Sequence, residues 1–122
     1  MYRITKEFHF SASHQLSTLP DNNPCSRIHG HNYIVKVELE SEELNQHGFV
    51  VDYKDLAPLK KYIDEELDHR HLNEVFDHGN ISAEFLSKAF YDWCKSRWHQ
   101  VSAVMVSETP KTWAEYRPSS KS

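Results

Sequence analysis

The stretch Tyr2-Arg3-Ile4-Thr5-Lys6-Glu7-Phe8-His9-Phe10-Ser11-Ala12-Ser13-His14 places Ile4, Phe8, Phe10 and Ala12 on even positions, with mostly polar residues between them. Side chains alternate across a strand, so this period of two predicts a half-buried β-strand whose inner face ends at His14. A second strand is predicted from His29 onward, with His29, His31, Tyr33, Val35, Val37 and Leu39 on one face and Ile34, Lys36, Glu38 and Glu40 on the other. The intervening Ser17 to Arg27 contains Pro20-Asp21-Asn22-Asn23-Pro24, a run of turn formers that reads as a loop with Cys25 near its end.

Beyond the two strands the period changes. Leu56, Leu59, Ile63 and Leu67 recur at three and four, which predicts an amphipathic helix starting near Asp55 as N-cap, with Pro58 in its first turn. Ile81, Phe85, Leu86, Ala89, Phe90, Trp93 and Cys94 form a second helical stripe, with Asn80 and Ser82 as candidate caps and Gly79 as a breaker. Strand chemistry returns with Val101, Ala103 and Met105 alternating against Ser102, Val104 and Val106, and a turn at Pro110 leads to a short segment from Trp113 to Arg117. The expected order is ββααββ, an α+β fold whose four-stranded antiparallel sheet carries two helices on one face. Such a sheet leaves edges that association of subunits would cover.

At 122 residues the chain has room for one domain, expected over residues 1–117 with Pro118 to Ser122 as a flexible tail. No apolar run approaches the roughly 20 residues of a membrane helix. No secretory signal is read at Met1 to Lys6, so the expected location is cytoplasmic and no membrane partner is expected. A formal net charge of −4 argues against a nucleic-acid partner. Two cysteines are too few for a disulfide framework.

Nine histidines are the compositional oddity. His29 and His31 project side by side from one strand face, and if the first two strands pair, His14 completes a three-nitrogen set that leaves a bound Zn²⁺ an open position. The plainer alternative is a polar strand start beside a turn histidine. Cys25, beside Arg27, is a candidate base or nucleophile, or else a small turn residue or fourth metal ligand. Cys94, in an apolar stripe, reads as an inert packed thiol. Asp68-His69 could polarise an imidazole for proton transfer or simply end a solvated helix. Glu108 is either a strand terminus in water or a carboxylate that receives hydrogen bonds from a flat, nitrogen-rich ligand.

Taken together, Phe8-x-Phe10-x-Ala12-x-His14, Cys25-x-x-x-His29-Gly30-His31-Asn32-Tyr33, Leu67-Asp68-His69-x-x-Leu72-Asn73 and Ser107-Glu108-Thr109 resemble the 6-pyruvoyl-tetrahydropterin synthase family. The spacing of Cys25 and His29 is most similar to the branch making 6-carboxy-tetrahydropterin in the queuosine pathway. The resemblance implies a tunnelling (T-fold) subunit, assembled into trimers or hexamers with active sites between subunits. It implies zinc on His14, His29 and His31, a catalytic thiol at Cys25, a relay of Asp68 and His69, and a pterin anchor at Glu108. The implied substrate is 7,8-dihydroneopterin triphosphate, with Lys6, Arg27 and Arg70 as candidates for its phosphates.

Two departures stand out against that pattern. Asn80-Ile81-Ser82-Ala83-Glu84 replaces the family's Asn-Pro-Thr-x-Glu, with Ser82 expected to cap the second helix and offer main-chain donors to the substrate. Ser13 replaces the usual alanine and is expected to face away from the metal side with minor effect. Three rival readings remain at this stage: the pyruvoyl product, a non-catalytic pterin binder, and a zinc-stabilised module with Cys25 as fourth ligand.

Overall fold

In the computed structural model, which describes residues 1–119, the two alternating stretches pair as β1 (Tyr2–His14) and β2 (His29–Ser41), antiparallel from Tyr2↔Ser41 to His14↔His29. Residues 120–122 of the expected tail lie outside the described residues. β3 (Val101–Thr109) and β4 (Thr112–Tyr116) complete a four-stranded antiparallel sheet in sequential order. β4 starts one residue earlier than expected, and Arg117 has left the strand to pair with Glu38. A bulge between Glu38 and Leu39 also breaks the alternation expected of β3. Val101 faces the core with Val104 and Val106, while Met105 turns outward, because the extra residue in the ladder changes which positions share a face.

The predicted helices are present with altered ends. Asp52, not Asp55, caps the first turn, accepting from the Lys54 amide at 3.0 Å, because Asp52 has the extended backbone a cap requires while Asp55 is already inside the turn. A 3₁₀ turn (Tyr53–Leu56) leads into α1 (Ala57–Tyr62), which continues as a wider π turn (Ile63–Leu67). A one-turn helix, α2 (Leu72–Val75), was not predicted, since four residues carry no helical period. α3 (Ala83–Lys95) follows, with the Ser82 hydroxyl accepting from the Phe85 amide. Asn80 does not cap; its side chain accepts from the amide and hydroxyl of Thr18 instead.

The apolar faces close on one another as patterned. Phe8, Phe10, Val35, Val37 and Leu39 from the sheet meet Leu56, Leu59, Ile63 and Leu67 from the first helix and Leu86, Phe90 and Cys94 from α3, all buried. Each large apolar side chain so buried contributes about 1.5–3 kcal/mol, and this core holds the sheet end that carries the histidines. The free edge of β1 is covered near that end by residues 68–71: the His69 amide donates to Ser11 O (2.6 Å) and the Ser13 amide to Arg70 O (3.0 Å). Among the described residues no helix is long and apolar enough to cross a membrane.

Candidate active site

The register His14↔His29 brings the three histidines together at one end of the sheet, with their ligand atoms within 4.8 Å of one another. Two of the rings are oriented by backbone carbonyls. His14 Nδ1 lies 2.6 Å from Ile81 O, and His29 Nδ1 lies 2.7 Å from Arg27 O. A carbonyl only accepts, so each Nδ1 carries the hydrogen and each Nε2 of the neutral ring presents a lone pair. Those two Nε2 atoms face each other at 2.9 Å, and the buried His31 Nε2 has no hydrogen-bond partner among the described residues. Two lone pairs facing each other without a proton between them, beside an unpartnered third imidazole nitrogen, fit the donor set of a divalent cation, and tetrahedral Zn²⁺ on three imidazoles keeps one position for substrate. Burial, partly offset by Ile81 O and by the charge of Glu108, lowers the His14 pKa, and burial likewise lowers that of His31, which keeps both rings neutral and able to ligate.

Around this cluster the other predicted residues take distinct places. Glu108, at the end of β3, puts Oε2 3.7 Å from His31 Nε2. On its other side it shares a cavity of about 250 Å³ with Leu16, Ser82, Trp113 and the start of α3. Asp68 is held rigidly: Oδ1 accepts from the Ser11 amide at 2.9 Å, and Oδ2 lies 2.9 Å from His69 Nδ1. The Ser11 and His69 hydrogen bonds lower the Asp68 pKa, so the carboxylate stays ionised. His69 adopts the left-handed backbone region with φ 60°, uncommon outside glycine and a frequent mark of functional positions. Its ring borders an open cavity of about 420 Å³ that His31, Ser13 and Arg70 also line.

Cys25 lies exposed in the turn Pro24–Ser26, whose chain is tied to the end of β1 by Leu16 N–H donating to Cys25 O at 3.0 Å. Its sulfur is not part of the cluster of ligand atoms, so the three histidines stand as an open set. Cys94 is buried and its thiol pushed up to about 12 by burial, an inert group as its stripe suggested. Arg27 presents an exposed side chain, and its carbonyl orients His29. The Arg70 guanidinium donates to Glu65 O. Within this chain Lys6 is not brought to the site: eight positions before His14 on β1, it lies roughly 26 Å away and lines a separate cavity with Lys60 and Asp64.

Sequence reasoning missed three contributors. Ile81, at the position of the family proline, is buried and supplies the carbonyl that sets the His14 tautomer. Ser13 does face away from the histidines, but its hydroxyl lies 2.9 Å from His71 Nδ1 rather than standing idle. Tyr33, fully buried beneath His14 and His31 and stacked on Phe10, has a hydroxyl with no hydrogen-bond partner among the described residues. Only Tyr33 left a sequence signal, its place two residues beyond His31 on the same face.

Known proteins are similar to this chain in sequence and in fold. A 6-carboxy-5,6,7,8-tetrahydropterin synthase from Bacillus subtilis is 30% identical over 96% of this chain and 86% of its own length. A putative 6-carboxy-5,6,7,8-tetrahydropterin synthase from Archaeoglobus fulgidus is 31% identical, covering 88% of this chain and 89% of that protein. The solved 6-pyruvoyl tetrahydropterin synthase of Caenorhabditis elegans superposes with a TM-score of 0.84 at 28% identity, over 97% of this chain and 96% of its own. The family model for 6-pyruvoyl tetrahydropterin synthase matches residues 3–119, a span that holds the three histidines, Cys25, Asp68-His69 and Glu108. With its T-fold sheet and helices, the chain belongs to the 6-pyruvoyl tetrahydropterin synthase family.

Proposed function

We propose that this protein is a zinc-dependent 6-carboxy-5,6,7,8-tetrahydropterin synthase acting on 7,8-dihydroneopterin triphosphate, with release of acetaldehyde and triphosphate, in queuosine biosynthesis. The observation that carries the reading is the set of three converging imidazole nitrogens with Glu108 at its edge, in a chain whose curated relatives are named for that reaction. His14, His29 and His31 would hold the metal, which when bound supplies Lewis acidity toward the oxygens of the substrate side chain.

The chain's own groups divide the remaining work. Glu108 accepts hydrogen bonds from the N–H groups of the flat ring, in the cavity it shares with Ser82. Cys25, as thiolate, removes a proton from the side chain. His69, oriented through Nδ1 by ionised Asp68, exchanges a proton at Nε2 on the opposite side. Arg27 and Arg70 are the candidate cations for the phosphates. Residues 1–117 form the catalytic domain, cytoplasmic, and it works as a homo-oligomer, trimer or hexamer, whose sites lie between subunits.

The likeness to the nematode 6-pyruvoyl tetrahydropterin synthase supports a second reading, in which the same site keeps all three side-chain carbons. Incubating the zinc-loaded protein with 7,8-dihydroneopterin triphosphate, while following acetaldehyde and the pterin mass, separates the two. Acetaldehyde with 6-carboxy-tetrahydropterin is the expected result. A pterin retaining three side-chain carbons would move the protein to the pyruvoyl reaction, and unchanged substrate would defeat both.

A further inference from the structure

Residues 68–73 are zipped onto the edge of β1 and the residue just past its end, at three successive alternate positions. At Ser11, the amide donates to Asp68 Oδ1 (2.9 Å) and the carbonyl accepts from the His69 amide (2.6 Å). At Ser13, the amide donates to Arg70 O (3.0 Å), the backbone makes a parallel bridge with His71, and the hydroxyl lies 2.9 Å from His71 Nδ1. At Gln15, the amide donates to Asn73 Oδ1 (2.8 Å) and the carbonyl accepts from Asn73 Nδ2 (2.9 Å). Between the first two contacts stands His69, in its left-handed conformation, with a largely exposed ring bordering the cavity it shares with His31 and Ser13. A backbone in that region has nothing local to hold it and needs its flanks pinned. The Ser11 pin uses backbone groups and the cap-like Asp68. The Ser13 pin is the one place where two side chains, one beside His14 and the other just beyond His69 in sequence, bond directly.

We propose that Ser13 and His71 are positioning residues for His69: their hydrogen bond locks the middle of the zipper and so sets where the His69 ring stands against the edge of β1. The inference rests on the reading of His69 as a proton-transfer group and adds to it the device that keeps the proton-transfer loop in register with the strand bearing His14. One side-chain hydrogen bond at the rim of the site is a modest tether, so its loss should loosen the loop without unfolding the sheet.

The test uses the zinc-loaded protein and four variants, Ser13→Ala, His71→Ala, the double variant and His71→Asn, whose amide can bond Ser13 as Nδ1 does. Hydrogen exchange of peptides spanning 68–73 is read alongside kcat and KM for 7,8-dihydroneopterin triphosphate. Both alanine variants should speed exchange in that segment about tenfold and lower kcat about tenfold with KM within twofold. The double variant should fall no further than either single, because both remove the same bond, and His71→Asn should recover most of kcat. Faster exchange with unchanged kcat, additive losses, or no recovery in His71→Asn would overturn the proposal. A wild-type protein that turns over nothing would instead overturn the proton-transfer reading beneath it, and exchange unchanged in the alanine variants would show, independently of any activity, that the bond is not a tether.

Discussion

The substitution Asp68→Asn isolates what the carboxylate does for His69. The two side chains have the same shape, so the introduced amide can keep its Oδ1 on the Ser11 N–H, the 2.9 Å contact that fixes the loop to β1. Its second terminal atom changes from an acceptor to a donor. Where Asp68 Oδ2 now sits 2.9 Å from His69 Nδ1, an NH₂ group would face that nitrogen, and the ring can accept it only by moving its own hydrogen to Nε2. The tautomer needed to take a proton at Nε2 is thereby reversed, and the negative charge that favours the imidazolium is lost. General acid–base groups contribute about 10²–10⁴ in rate. Because His69 is largely exposed and water can partly replace the lost orientation, the lower end applies: kcat should drop about 10²-fold. KM, bound zinc and thermal midpoint should stay near wild type, since neither the metal cluster nor the Ser11 contact is touched. Steady-state kinetics on 7,8-dihydroneopterin triphosphate, with metal analysis on the same samples, makes the measurement. Turnover within threefold of wild type would refute the orienting role, and loss of zinc in parallel with turnover would refute the separation of the two sites.

Other perturbations read different layers of the same structure. Removing the metal with a chelator should leave the sheet and core intact by circular dichroism, because the core is built without the histidines, while costing about 4 kcal/mol of stability relative to free zinc a thousandfold above its dissociation constant; unfolding on chelation would favour a structural zinc module. Tyr33→Phe removes a buried hydroxyl that has no partner among the described residues and should raise the stability of the metal-free protein by about 1 kcal/mol in urea titrations; a loss of that size would mean the hydroxyl is hydrogen-bonded in solution. The Glu38 pKa is lowered, chiefly by hydrogen bonds from Arg117. Glu38 therefore contributes stability above the ordinary glutamate pKa of about 4.3 that fades as pH falls through its lower folded value; a gap between wild type and Glu38→Gln that stays constant from pH 7 to pH 3 would contradict this.

The order of strands and helices, the two histidine-bearing faces and the packed Cys94 were legible in the chain because each depends on neighbours within a turn or a strand. His29 and His31 share a face by the period of a strand alone. The loop ends were harder to read. Asp55 looked like a cap, yet which carboxylate caps is decided by backbone angles at Asp52, and the β3 faces were reordered by a bulge opposite Glu38.

What the sequence by itself determined is the inventory and its phasing: which residues carry chemistry, and which face of which element they occupy. What only the tertiary structure decided is their second partners. His14 is oriented by Ile81, 67 residues away; Asp68 is held by Ser11, 57 residues away; and Ser13 meets His71 across 58 residues. The same folding that made these pairs left Lys6 far along β1 from the histidines. Local periodicity reports how a segment faces its core but carries nothing about which distant segment arrives opposite it. That is settled when the core closes and buried polar atoms must find partners, and here the rings at the end of the sheet found theirs in the carbonyls of chain turns that the packing of α3 and the Pro24–Ser26 loop brought beside them.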